Sequence, residues 1–327
     1  MERFPTRRAT LGLMMASALA PAALAAGAWP ERPVVIVVSY AAGGSTDTLA
    51  RKIAEGLGGR LDERVVVQNF PGAGGTLGTT RAARSAPDGS TLFLGQISSH
   101  GIAPALYGRL PYDPEQDFVP IARIYSIPNV LVVPADFPAD SYAEFLEVAQ
   151  GRRLRFASSG VGSSIHLSGE LFKAKTGLDL VHVPYKGSGE AVPALLGGNV
   201  DLMFDNAPSA LPHVRSGALK ALAVTTAERS PALPEVPTLQ EVGGPALADF
   251  EVEAWFGLFA PAGTEPETVR QINERVQAVL ADPGFVAFAE TNAASIDGGP
   301  PEALERQVRG ELAKWREVVA LAGIPKK

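Results

Sequence analysis

Ser39-Tyr-Ala-Ala-Gly-Gly-Ser-Thr-Asp-Thr-Leu-Ala50 decides how this chain folds. It follows the apolar run Val34–Val38 and leads into Leu49-Ala50-Arg51-Lys52-Ile53-Ala54, whose spacing is helical. A strand that ends in Gly-Gly and turns straight into a helix leaves the first-turn N–H groups unpaired. The helix dipole adds partial positive charge at the same end. Such a turn is either a plain strand-to-helix connection or an anion site, and the choice rests on whether other loops converge on it.

The chain beyond it alternates short apolar runs with helical patterns. Val34–Val38, Val65–Val67 and Leu92–Leu94 read as strands, with helices over Thr48–Leu57 and Thr76–Arg84 and a turn at Phe70–Gly75. The same order of events returns later. Strand Leu154–Ala157 runs into Ser158–Ser164 and helix Ile165–Lys175. Strand Leu180–Val183 runs into Pro184–Gly189 and helix Glu190–Leu196, and strand Val200–Phe204 ends at Asp205-Asn206. This echo predicts two similar α/β lobes, each a mixed, mostly parallel sheet flanked by helices. Strand-like crossings near 125–131 and 250–257 form the hinge, with lobe 1 over 29–127 plus 254–327 and lobe 2 over 128–253. Ser141-x-x-Glu144 and Thr264-x-x-Glu267 read as capping boxes. Leu304, Val308, Leu312, Trp315 and Val319 form one stripe of a tail helix, Pro301–Leu321, expected to pack on the first lobe.

The 327 residues carry a formal charge of −6, which disfavours a nucleic-acid partner, and hold no cysteine, which excludes disulfides and thiol chemistry. Arg3, Arg7 and Arg8 precede the apolar, Ala-rich run Leu11–Ala26. This describes a secretory leader over residues 1–28, with cleavage points after Ala25, Ala26 or Ala28. Its loss removes a net +2 and leaves −8 on the mature chain. Thr6-Arg7-Arg8 partly fits the twin-arginine export pattern.

In open α/β sheets ligands sit beyond the carboxyl ends of the strands, so segments 40–48, 71–76, 96–100, 158–166, 185–189 and 205–206 line the expected cleft. Gly, Ala, Ser and Thr dominate these loops, and 40–46, 71–76 and 158–166 contain no Lys or Arg. A carboxylate there is held by backbone N–H groups and hydroxyls, not by a guanidinium. No phosphate-loop or dinucleotide motif occurs, and no Gly-x-Ser-x-Gly. Asp47 either complements the dipole of its helix or touches ligand. His166 either donates to a ligand oxygen or bonds a neighbouring loop. Asp205 either holds a ligand ammonium or hydroxyl, or caps the next turn. Trp255 and Phe256 either wall the cleft or fill the core. The four histidines show no metal-ligand spacing, and no metal, cofactor or catalytic residue is expected.

Tyr40–Arg51, Asn69–Gly75, Pro87–Leu92, Ala157–Gly160, His166–Phe172, His182–Gly187, Phe204–Asn206 and Trp255–Leu258 resemble, in order, motifs of the tripartite tricarboxylate transporter receptors, the Bug family. The resemblance implies a type II periplasmic binding protein fold. It implies an exported, monomeric, non-enzymatic receptor that captures a small carboxylate and delivers it to membrane transporter subunits. Alternatives are a sensor or adaptor without transport and a dinucleotide-binding oxidoreductase. The expected ligand contacts are Tyr40, Ala42, Gly43, Gly44, Thr46 and Asp47, then Ala73, Gly74, Gly75 and Ser98. Across the cleft they are Ser159, Gly160, Ser163, Ser164, His166, Tyr185 and Asp205. The family commonly has Pro-Phe where this chain has Ser39-Tyr40, which adds a hydroxyl near the site.

Overall fold

The computed structural model describes residues 1–2, 29–321, 323, 324 and 326. Apart from its first two residues, the expected leader lies outside the described residues. Among those described, no helix is long and apolar enough to cross a membrane.

The all-apolar β1 (Val34–Val38) lies between β2 (Val65–Asn69) and β3 (Thr91–Gln96), parallel to both. Continuous Val/Ile character fits a central strand covered on both faces. In the second half β5 (Leu154–Ser158) lies between β6 (Leu180–Pro184) and β7 (Leu202–Asn206), again parallel to both. The orders β2-β1-β3 and β6-β5-β7 are therefore the same topology used twice. Helices α1 (Ser45–Gly58) and α2 (Thr76–Ala83) connect the first set. After α3 (Tyr142–Gly151), α4 (Ser164–Thr176) and α5 (Ser188–Leu196) connect the second, and α6 (Ala207–Arg215) follows β7.

Between the sets runs one long strand, β4 (Phe118–Pro134), of 17 residues. Its first part pairs antiparallel with β9 (Glu253–Pro261) as far as Pro128↔Glu253. From Asn129 onward it pairs with β7 and with β8 (Leu219–Val224). A hydrogen-bonded knot sits at the change of partner. Thr225 Oγ1 donates to Val252 O (2.6 Å), and the Asn129 N–H donates to Thr225 Oγ1 (3.0 Å). A two-residue strand, β10 (Ser295–Ile296), pairs with β4.

Trp255 and Phe256, on β9, are 1% and 2% exposed and belong to the core, not to a cleft wall. Three helices, α7 (Pro266–Leu280), α8 (Pro283–Thr291) and α9 (Pro301–Leu321), complete the chain. The stripe Leu304, Val308, Leu312, Trp315 and Val319 is buried, and α9 packs on β4 and on the turn after β3. Ser141 caps α3 by accepting from the Glu144 N–H. The second expected capping box does not form. Glu265 is the N-cap of α7, and Thr264 Oγ1 donates to Pro261 O instead, because Pro266 at N1 moves the helix start one residue on.

Candidate functional site

Both repeats place a loop at the carboxyl end of their central strand, where the sheet order reverses. The two loops face each other. The cavity between them is lined from one side by Tyr40, Ala41, Ala42, Gly44, Thr46, Gln96 and Ser98. The other side is Ser159, Ser163, Ser164, Gly187, Ser188, Gly189 and Asn206. Not one of these residues is charged. The space open to the centre of a water molecule is about 40 Å³, so the walls stand close together. Gly74 marks the contact point: a Cβ there would lie 2.3 Å from Val161 O of the opposite wall, and its φ is +63°.

Four lining residues are helix N-caps: Gly44 of α1, Ser163 of α4, Gly187 of α5 and Asn206 of α6. Gly44, Gly187 and Asn206 provide no side-chain cap, which leaves first-turn N–H groups without a helical partner beside the cavity. Ser163 does cap α4. It accepts from the His166 N–H (3.1 Å) and donates to Gly160 O (2.8 Å). Positive helix ends thus approach one small volume from both sheets.

Several residues picked out from sequence stand behind these walls and hold them. Gly43 has φ +85°, which suits a residue without Cβ, and its N–H donates to Asp47 Oδ2 (2.9 Å). Arg51 Nε donates to the same oxygen (2.9 Å) and Asn69 Nδ2 to Asp47 Oδ1 (3.0 Å). Burial pushes the Asp47 carboxyl up, but Arg51, the Gly43 N–H and Asn69 outweigh it and hold the group below the usual carboxylate range. Both oxygens are engaged, so Asp47 braces the loop. Tyr40 does line the cavity. Its O–H donates to Gly74 O (3.2 Å), and burial pushes it up to about 12, so the ring stays neutral. Ala73, Gly74, Gly75, Gly160 and Tyr185 are not among the residues that line the cavity.

His166 faces away from the cleft. Its Nδ1 accepts from the Gly162 N–H (3.2 Å), its ring stacks on His182 (4.1 Å), and Nε2 lies 3.8 Å from Glu170. The fold therefore gathers His166, Glu170 and His182 although the sequence spacing shows no metal pattern. With Nδ1 accepting from the Gly162 N–H, the neutral imidazole carries its hydrogen on Nε2, on the side of Glu170. His182 in turn shares a 2.6 Å hydrogen bond with Ser158 at the base of the loop. Asp205 is fully buried beneath Ser188, whose O–H donates to its Oδ1 (2.7 Å). Burial pushes this carboxyl up to about 6, against lowering by Ser209, Ser188 and the Asn206 N–H.

Within the expected loops, sequence reasoning passed over Ala41, Gln96, Gly187, Ser188, Gly189 and Asn206. The signal was present at Gly187, an N-cap glycine directly before a helical pattern.

A larger groove of about 840 Å³ lies between α7 and α9, floored by Phe118, Phe259 and Val269. Its lining includes the carboxylates Glu115, Glu274, Glu302 and Glu305, and its Arg270 and Arg309 are paired with Glu267 and Glu305. It lacks the features of an anion site.

The sequence model described as the tripartite tricarboxylate transporter family receptor matches residues 49–324. Protein BugT of Bordetella pertussis (strain Tohama I) is 38% identical over 323 residues, covering 96% of this chain and 97% of BugT. An R. palustris protein solved with adipate superposes with a TM-score of 0.87 at 37% identity, covering 91% of this chain and 99% of that one. MatC from Rhodopseudomonas palustris with bound malate superposes with a TM-score of 0.83 at 36% identity, covering 89% and 100%.

Proposed function

This chain belongs to the tripartite tricarboxylate transporter family of receptors, and from that premise we propose that it captures a linear dicarboxylate between its two lobes. It is a binding protein, not an enzyme. The observation that carries the dicarboxylate reading is the convergence of uncapped helix N-termini from both sheets on a cavity with no charged side chain. One carboxylate is taken by the start of α1 and the other by the starts of α5 and α6. Held by N–H groups and hydroxyls, the two anionic ends tie the walls together. Adipate and malate, the ligands of two structural relatives, are both linear diacids and support this choice.

The cavity is smaller than a diacid, so the lobes separate for entry and close on the ligand, with the Asn129–Thr225–Val252 knot as pivot. Gly74 against Val161 O is the point where closure ends. The leader-like N-terminus and the family support a periplasmic location and delivery to membrane transporter subunits.

Native mass spectrometry of gently purified protein, followed by thermal unfolding with a library of diacids and length-matched monoacids, tests the reading. A diacid at 100-fold its Kd should stabilise the fold by about 2.7 kcal/mol, and the matched monoacid far less. A protein that shifts with no diacid would overturn the proposal.

A further inference from the structure

We infer that Ser188, aimed by the buried Asp205, selects diacids that carry a hydrogen-bond donor, a hydroxyl or an ammonium, on the carbon beside a carboxylate. The inference rests on the dicarboxylate reading and specifies which diacids the cleft prefers.

A hydroxyl has one hydrogen to give. Ser188 gives it to Asp205 Oδ1 at 2.7 Å, so toward the cavity it presents only lone pairs. Thr46 on the opposite wall is in the same position, because its hydrogen goes to Gln96 Oε1 at 3.0 Å. The hydrogen of Ser163 goes to Gly160 O, and the oxygen also accepts from the His166 N–H, so Ser163 is engaged on both counts. Two acceptors therefore face each other across a cavity whose other polar groups include the N–H donors of helix starts. A carboxylate oxygen satisfies the N–H groups but repels Ser188 and Thr46. Only a ligand donor satisfies these two, and an unsubstituted chain leaves them desolvated and unpaired.

Asp205 does not line the cavity and acts through Ser188, as a positioning residue. Its surroundings fit that role. It is fully buried, and among the described residues no cation pairs with it and no partner meets hydrogen-bond geometry at its Oδ2, with Ser209 and the Asn206 N–H nearby. Among the described residues, the cavity-lining side chain hydrogen-bonded to it is Ser188.

Isothermal titration of the full chain with succinate, both enantiomers of malate, and L-aspartate tests this, since these four-carbon diacids differ only at C2. Malate in one configuration, or aspartate, should bind at least tenfold more tightly than succinate. Ser188→Ala should bring that ratio within threefold, whereas Ser188→Thr, which keeps the hydroxyl, should preserve it. Asp205→Asn, whose amide can donate to Ser188 as well as accept from it, should lower the ratio without abolishing succinate binding. Equal binding of succinate and the substituted acids by the unmodified protein would overturn the inference and leave the dicarboxylate reading standing. So would a ratio that survives Ser188→Ala. Failure of every diacid, adipate included, would overturn both.

Discussion

Asp47 in the first lobe and Asp205 in the second both lie buried behind the cleft wall, yet they are held in opposite ways. Asp47 receives Arg51, Asn69 and the Gly43 N–H on its two oxygens. Asp205 receives Ser188 on one oxygen, while on the other no partner among the described residues meets hydrogen-bond geometry, only Ser209 and the Asn206 N–H standing nearby. The first carboxylate is neutralised within its own lobe and locks the α1 turn in shape. The second keeps its demand for hydrogen and passes it to a cavity residue. One wall is thus a fixed cradle of N–H groups, and the other carries a side chain whose polarity depends on the group behind it.

The strongest way to break this picture is to keep the walls apart. Gly74→Ala sets a methyl against Val161 O and should weaken diacid binding at least a hundredfold by titration calorimetry. Stability should fall by only about 1–2 kcal/mol, from the positive φ, because neither lobe's core is touched. Asp47→Ala tests the cradle itself. It frees Gly43, Arg51 and Asn69 and should cost about 2–3 kcal/mol in chemical denaturation, with affinity falling as the loop loosens.

The two aspartates should also separate by pH. A carboxyl held low in the folded state stabilises above its unfolded pKa and loses that contribution as pH falls through the folded value. Asp47→Ala should therefore flatten the acid limb of the stability profile below about pH 4. Asp205 is pushed up to about 6, so its effect has the opposite sign: stability drops as pH rises from about 4 to about 6. Asp205→Asn should remove that drop and leave the variant relatively more stable at neutral pH, read as melting temperature against pH. The smallest effect is expected at Lys186, exposed on the rim, where Lys186→Ala should change affinity less than twofold. A large loss there would mean that side-chain charge, not backbone N–H, holds the anion.

Much of this was legible in the sequence. Apolar runs followed by Gly/Ser loops located both repeats, because a strand feeding directly into a helix leaves few other residue choices. The loops of the cleft could be named for the same reason. Which way each side chain turns could not. Asp47, His166 and Asp205 drew attention by their chemistry, but their partners Asn69, His182 and Ser188 come from other strands and helices, and none of the three lines the cavity itself. Ser188 and Asn206 looked ordinary because their role depends on what stands behind them. The Thr264-x-x-Glu267 pattern misled because Pro266 fixed the helix start one residue later.

The central claim is that backbone N–H groups at opposed helix starts hold the two ends of a diacid. Amide chemical shifts of ¹⁵N-labelled protein, titrated with malate and with adipate, test it most directly. The account predicts that the amides of Gly44–Asp47, Ser188–Glu190 and Asn206 move together, from both lobes, at one ligand concentration. Shifts confined to one lobe, or centred on the groove between α7 and α9, would contradict it.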